Sequence, residues 1–135
     1  NAHVIFSSST QEERENEYGK SKKISREYLE NWAQKSSGKF TGLIIPNVFG
    51  PFGHPFHNSV IATFCYKLAN NQTPTIDIDA KLRLIYVGEL IEVILSEIRR
   101  PKSQAEMIVP FTATSKVSEI LNLLNNLRFK FFQGR

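Results

Sequence analysis

HVIFSSS at residues 3–9, YGKSKKISREYLENWAQKSSG at 18–38 and FTGLII at 40–45 decide how this chain is read. His3 to Phe6 is a short apolar run leading into three serines, the pattern of a buried parallel strand with a polar carboxyl end. Tyr18, Ile24, Tyr28, Leu29 and Trp32 recur at helical steps. They predict a helix from Tyr18 to about Ser36, closed by Gly38, with Trp32 and its aromatic neighbours in the core. Phe40 to Ile45 is a second buried strand, ending at Pro46-Asn47. Strand, helix and strand in close succession form a βαβ unit, so the two strands should be parallel with a right-handed crossover.

Outward from this unit, Gly50-Pro51-Phe52-Gly53-His54-Pro55 reads as a loop. Asn58 to Ala69 reads as a helix with Val60, Ile61, Phe64 and Leu68 on one face. Thr75 to Asp79 is expected to be a short edge strand with Asp77 and Asp79 facing solvent. Leu82 to Val87 is expected to be a further strand. Gly88 to Arg99 should be a helix with Leu90, Ile91, Ile94 and Ile98 inward, stopped by Pro101. Met107 to Phe111 is predicted as a last strand. Ser115 to about Leu127 is predicted as a helix capped by Thr114 or Ser115, with Ile120, Leu121 and Leu124 inward. Phe129, Phe131 and Phe132 then follow, and an apolar terminus of this kind points to a partner surface or missing neighbours.

Bulk properties narrow the classes. A chain of 135 residues with 41% hydrophobic and 22% charged residues can bury a core and is not disordered in type. No apolar run approaches a membrane span and no secretory signal is visible, so a cytoplasmic setting is expected. The single Cys65 sits among Phe64, Tyr66 and Leu68 and reads as a buried, inert thiol. The net charge of +4 is mild, and Lys20, Lys22, Lys23 and Arg26 fall in one helix surrounded by Glu12, Glu13, Glu15, Glu17, Glu27 and Glu30. That is a solvated mixed-charge face, not the one-signed stripe that binds nucleic acid.

The chemistry lies in Tyr18-Gly19-Lys20-Ser21-Lys22. Spacing i, i+4 puts the phenol and the amine on one helix face, one turn apart. A free tyrosine has a pKa near ~10 and is a poor base at neutral pH. A nearby ammonium favours the phenolate, and a phenol so placed can give or take a proton. Ser9 lies at the carboxyl end of the preceding strand, where open α/β sheets bind their ligands. His54 and His57 lack a third clustered partner and are expected to be loop histidines, with no metal site.

These segments, with Pro46-Asn47-Val48-Phe49-Gly50-Pro51 and Leu84-Ile85-Tyr86-Val87-Gly88-Glu89-Leu90, resemble the extended short-chain dehydrogenase/reductases, the NAD-dependent epimerase/dehydratase family. The short step from Ser9 to Tyr18 and the run Asn58 to Lys67 are most similar to the capsular-polysaccharide reductases of UDP-linked 4-keto-6-deoxy-N-acetyl sugars, in the route to UDP-N-acetyl-L-fucosamine. The resemblance implies an α/β fold: the C-terminal part of a Rossmann-type doubly wound parallel sheet plus a small α+β substrate-binding region. Residues 1–50 would end the nucleotide-binding sheet and 51–135 would bind substrate. It further implies that Ser9 and Tyr18 polarise and protonate the sugar C4 carbonyl. Lys22 and Pro46 would bind the cofactor, NADPH or NADH, and Asn47 and Asn58 the UDP-sugar substrate.

Departures from the family pattern carry information too. Ile44 and Ile45 stand where the family has an arginine before Pro-Asn, and Arg83 is one place off a phosphate-binding arginine. Thr10 and Gln11 occupy the Asp-Glu places of the dehydratases and Glu12 falls one residue late, which argues against elimination chemistry. No glycine-rich dinucleotide turn occurs, so the resemblance implies that the chain lacks the N-terminal dinucleotide-binding half and is expected to be inactive alone. An epimerase fragment and a non-catalytic substrate-binding or interaction module are the alternatives. The strand edge at Val4 to Phe6 and the apolar tail lead to an expectation of a homo-oligomer or of the missing half as partner.

Overall fold

The computed structural model describes residues 1–133. The chain divides into two compact units interleaved in sequence, Asn1–Pro46 with Glu89–Pro110, and Asn47–Gly88 with Phe111–Arg135.

In the first unit, β1 (His3–Ser9) runs through all three serines and a 3₁₀ turn, Thr10–Glu13, follows at once. Helix α1 (Glu17–Lys35) leads back to β2 (Lys39–Ile45). The two strands pair in parallel from His3 opposite Lys39 to Ser9 opposite Ile45, the register a βαβ unit requires. A third parallel strand, β5 (Met107–Ile108), pairs with Leu43 and Ile44. Phe40, Leu43, Ile45, Leu90 and Val109 are the buried apolar residues here. Strand β2 is paired along both edges and buried on both faces, which explains its nearly continuous apolar run.

In the second unit, β3 (Asn47–Phe49) pairs in parallel with β4 (Lys81–Tyr86), and β4 pairs antiparallel with β6 (Ala113–Lys116). Helices α2 (Val60–Ala69) and α4 (Val117–Arg128) supply Phe64, Val117 and Ile120 to a core shared with Leu84. Ile76, expected in a strand, packs on this core from an irregular segment. A π-helical turn, Phe129–Gln133, ends the described chain, and Phe129, Phe131 and Phe132 are exposed.

Several expectations are corrected. Thr75 to Asp79 forms no strand; Asp79 instead accepts bonds from the Ser118 amide at 2.9 Å and hydroxyl at 2.7 Å, fastening the first turn of α4. The fourth helix starts at Val117 because Thr114 and Ser115 are taken up in β6, and Glu119 accepts the Lys116 N–H. Met107 to Phe111 shortens to two paired residues. Ser59, not Asn58, caps α2, its hydroxyl accepting from the Ala62 N–H. Cys65 is exposed, while partial burial pushes its thiol up. Trp32 is 37% exposed, its ring lying against Gly38, and Ile24 and Tyr28 are more exposed still.

The largest departure is which side chains are buried. Helix α1 buries Gly19 and Arg26, and α3 (Val87–Arg99) buries Leu90 and Glu97 while Ile91 and Ile98 face out. Glu97 is 1% exposed and accepts from the Thr41 hydroxyl at 2.5 Å and the Lys102 N–H at 2.9 Å, with His3 beside it at 3.6 Å. Burial alone would push this carboxyl up; the hydrogen bonds from Thr41, Lys102 and Ser103 outweigh it and hold Glu97 below the usual carboxylate range.

Candidate active site

The site is built on the carboxyl end of β1 and the first two turns of α1. Ser9 ends the strand and starts the 3₁₀ turn, its Oγ accepting the Gln11 N–H at 3.1 Å. Asn16 caps α1, its side-chain oxygen accepting the Gly19 N–H at 2.7 Å. Only glycine fits at position 19. A Cβ there would overlap the carbonyl oxygen of Gln11 and lie 2.8 Å from that of Arg14. The short step between Ser9 and Tyr18 therefore depends on main chain packing directly on main chain.

Tyr18 and Lys22 come together as their spacing requires. The Lys22 ammonium lies 5.8 Å from the centre of the Tyr18 ring and 5.2 Å from that of Phe6. It also donates to the Ser7 carbonyl at 3.0 Å. The amine is thus tethered to the end of β1 and held between two aromatic rings, while Tyr18 stays 41% exposed and open to a ligand.

Behind this face lies an ion-pair network that sequence reading assigned to solvent. Arg26 follows Tyr18 and Lys22 on one helix face (i, i+4, i+8), and that series is the signal that picks it out. It is 3% exposed and contacts Glu12 by three hydrogen bonds of 2.9–3.2 Å. Glu12 also accepts from Ser8, and Arg26 reaches Glu106 at 2.9 Å. Burial alone would raise the Glu12 pKa, but Arg26 and Ser8 outweigh it and hold the carboxyl down; the Glu12 bond in turn raises Arg26. Glu12 is thereby occupied as a structural anion.

Pro46 is buried just beyond β2 in the first unit. Asn47 and Asn58 belong to the second unit. The Asn47 amide donates to the Arg83 carbonyl at 3.2 Å. Asn58 precedes the α2 cap with φ of 56°, in a loop where Phe52 and Phe56 also have positive φ. Arg83 is exposed and stacks over Phe111, 5.3 Å from the ring centre. The rings of His54 and His57 lie 5.8 Å apart. Among the described residues no group of three or more His, Cys, Asp or Glu could hold a metal, and no helix is long and apolar enough to cross a membrane.

A parallel sheet joined through a βαβ crossover defines a Rossmann-type α/β class of protein. Residues 3–109 match the NAD dependent epimerase/dehydratase family, and the chain belongs to that family. Over 89 residues it is 32% identical to the UDP-2-acetamido-2,6-beta-L-arabino-hexul-4-ose reductase of Pseudomonas aeruginosa, covering 65% of this chain and 24% of that protein. The capsular polysaccharide assembling protein CapF of Staphylococcus aureus superposes with a TM-score of 0.85 at 30% identity, over 97% of this chain and 37% of CapF. The UDP-glucose 4-epimerase of Thermus thermophilus in complex with NAD shares the fold, with a TM-score of 0.77 at 20% identity over 94% of this chain and 48% of that one. The chain thus spans less than half the length of each of these relatives.

Proposed function

We propose that this chain is part of a nucleotide-sugar reductase that uses NAD(P)H to reduce the C4 ketone of a UDP-linked 4-keto-6-deoxy-N-acetyl sugar for surface polysaccharide synthesis. The observation that carries this reading is the Lys22 ammonium anchored on the end of β1 beside an accessible Tyr18 phenol. The match to a UDP-sugar keto reductase supports the substrate class.

The donor set suits a nicotinamide nucleotide. Lys22 offers an ammonium for ribose hydroxyls at the carboxyl end of parallel strands, and Pro46 directly follows the neighbouring strand. The cofactor, when bound, supplies the hydride. Tyr18 supplies the proton to the carbonyl oxygen. Ser9 hydrogen-bonds the same oxygen, its own lone pair held by the Gln11 N–H so that its proton is free to point outward. Asn47 and Asn58 contact the nucleotide diphosphate. The unit that contains β1, β2 and β5 ends the nucleotide-binding sheet, and the second unit forms the substrate-binding region.

The test is NAD(P)H oxidation at 340 nm with a UDP-4-keto sugar. A complete enzyme carrying this segment turns over, and the 135-residue chain by itself does not, because it contains no glycine-rich turn for the pyrophosphate. Tyr18→Phe in the complete enzyme lowers kcat by about 10²–10⁴-fold with cofactor affinity nearly unchanged. Collapse of cofactor affinity in that variant would make the tyrosine structural. Interconversion of C4 epimers without net oxidation of NAD(P)H would favour an epimerase.

A further inference from the structure

We propose that the Glu12–Arg26 pair is a positioning device that holds the Ser9 turn against the Tyr18–Lys22 face of α1; this rests on the catalytic reading of those three residues given above. Glu12 lies in the 3₁₀ turn that Ser9 begins, and its carboxylate accepts from Ser8, the residue before Ser9. Ser8 is 4% exposed and Arg26 3%. The guanidinium stands one turn beyond Lys22 on α1 and grips both oxygens of Glu12, through Nε at 2.9 and 3.2 Å and Nη2 at 3.1 Å. A side-chain bridge therefore runs from the serine end of β1 to the helix bearing the phenol and the amine.

The bridge has little slack. A Cβ on Gly42 would come within 2.8 Å of Arg26 Cδ, so β2 braces the arginine stem from below. Two-point contact fixes the orientation of the carboxylate as well as its distance, which a lysine in place of arginine would not do. Arg26 also holds Glu106 at 2.9 Å, and Glu106 is 66% exposed at its side chain. Loss of Glu12 therefore leaves the guanidinium with one anionic partner. The helix keeps its buried charge compensated, while the turn carrying Ser9 loses its tether. This asymmetry makes Glu12 the selective place to cut.

Misplacement of a reacting group by about 1 Å costs on the order of 10²-fold in rate, so Glu12→Ala in the complete enzyme should lower kcat about 100-fold per folded molecule. Glu12→Gln keeps an oxygen acceptor for Arg26 and should restore kcat to within about tenfold of wild type. The KM for cofactor, which Lys22 sets, should stay within about threefold in both variants. A lower melting temperature with unchanged kcat per folded enzyme would overturn the proposal, because a purely structural pair predicts that outcome. The 135-residue chain supplies an arm independent of activity. There, Glu12→Ala should speed amide hydrogen exchange at Gln11, whose N–H bonds Ser9, while the β2 amides stay protected. Unchanged exchange at Gln11 would also overturn it. Absence of turnover by the complete wild-type enzyme would sink the catalytic reading, and the exchange arm would still decide whether the tether exists.

Discussion

Replacing Gly19 by alanine sets two opposed effects against each other, and the contact geometry decides the sign. Within a helix, Gly→Ala normally stabilises by about 0.8–1 kcal/mol. Gly19 lies in the first turn of α1, where part of that gain is already forfeited. Against it, the new methyl would overlap the Gln11 carbonyl oxygen and press on that of Arg14 at 2.8 Å. Both obstacles are main chain in a hydrogen-bonded turn, so neither can rotate aside as a side chain would. Overpacking of this kind costs about 1–3 kcal/mol. Shifting the helix to relieve it would break the 2.7 Å bond from the Gly19 N–H to Asn16, a cap worth about 1 kcal/mol. The net expectation is a loss of roughly 0.5–2.5 kcal/mol, read by urea unfolding of the chain followed through Trp32 fluorescence and helical circular dichroism. Ser25→Ala, on an exposed position of the same helix, is the control and should change stability by only a few tenths of a kcal/mol. A Gly19→Ala chain more stable than wild type would refute the close approach of turn and helix. The inferred positioning of Tyr18 would fall with it.

Glu97→Leu removes the acceptor for the Lys102 amide and the Thr41 hydroxyl, and should destabilise by about 2–5 kcal/mol, whereas Glu97→Gln should cost about 1–2. Because the folded pKa of Glu97 is depressed, its contribution is fully present above the ordinary glutamate value of about 4.3. It is lost as pH falls through the lower folded value. Denaturant midpoints from pH 7 to 3 should therefore fall less steeply in Glu97→Gln, and an identical acid limb would refute this assignment. Cys65 should react with a thiol reagent in the folded chain, at a rate still rising with pH above the range of an ordinary thiol; protection until unfolding would contradict its exposure. Asp79→Ala should fray the start of α4, seen as faster amide exchange at Ser118, since the carboxylate accepts from both its amide and hydroxyl.

What was legible followed from local pattern. The β1–α1–β2 unit and its parallel pairing were readable because each element carries its own period and the connection is short. The pairing of Tyr18 with Lys22 was readable because i, i+4 is fixed by helix geometry. Strands β3 and β6 were not, since three- and four-residue segments such as Ala113–Lys116 become strands only through distant β4. The buried faces of α1 and α3 depart from the apolar periodicity for one shared reason. Periodicity treats charge as outward-facing, yet Arg26 and Glu97 are buried because each is satisfied by partners far away in sequence. Glu12 was visible as a departure from a dehydratase pattern, but its partner could be found only in three dimensions.

The hydrogen bond from Lys22 to Ser7 ends on a main-chain oxygen, which every amino acid possesses. Position 7 should therefore tolerate wide substitution, because any exposed residue there offers the ammonium the same acceptor. Position 8 should not, since its hydroxyl is buried and committed to Glu12. A saturation library across the three serines should show a permissive first site followed by restrictive ones, a pattern of drift in which the anchor of the amine is invisible to side-chain identity.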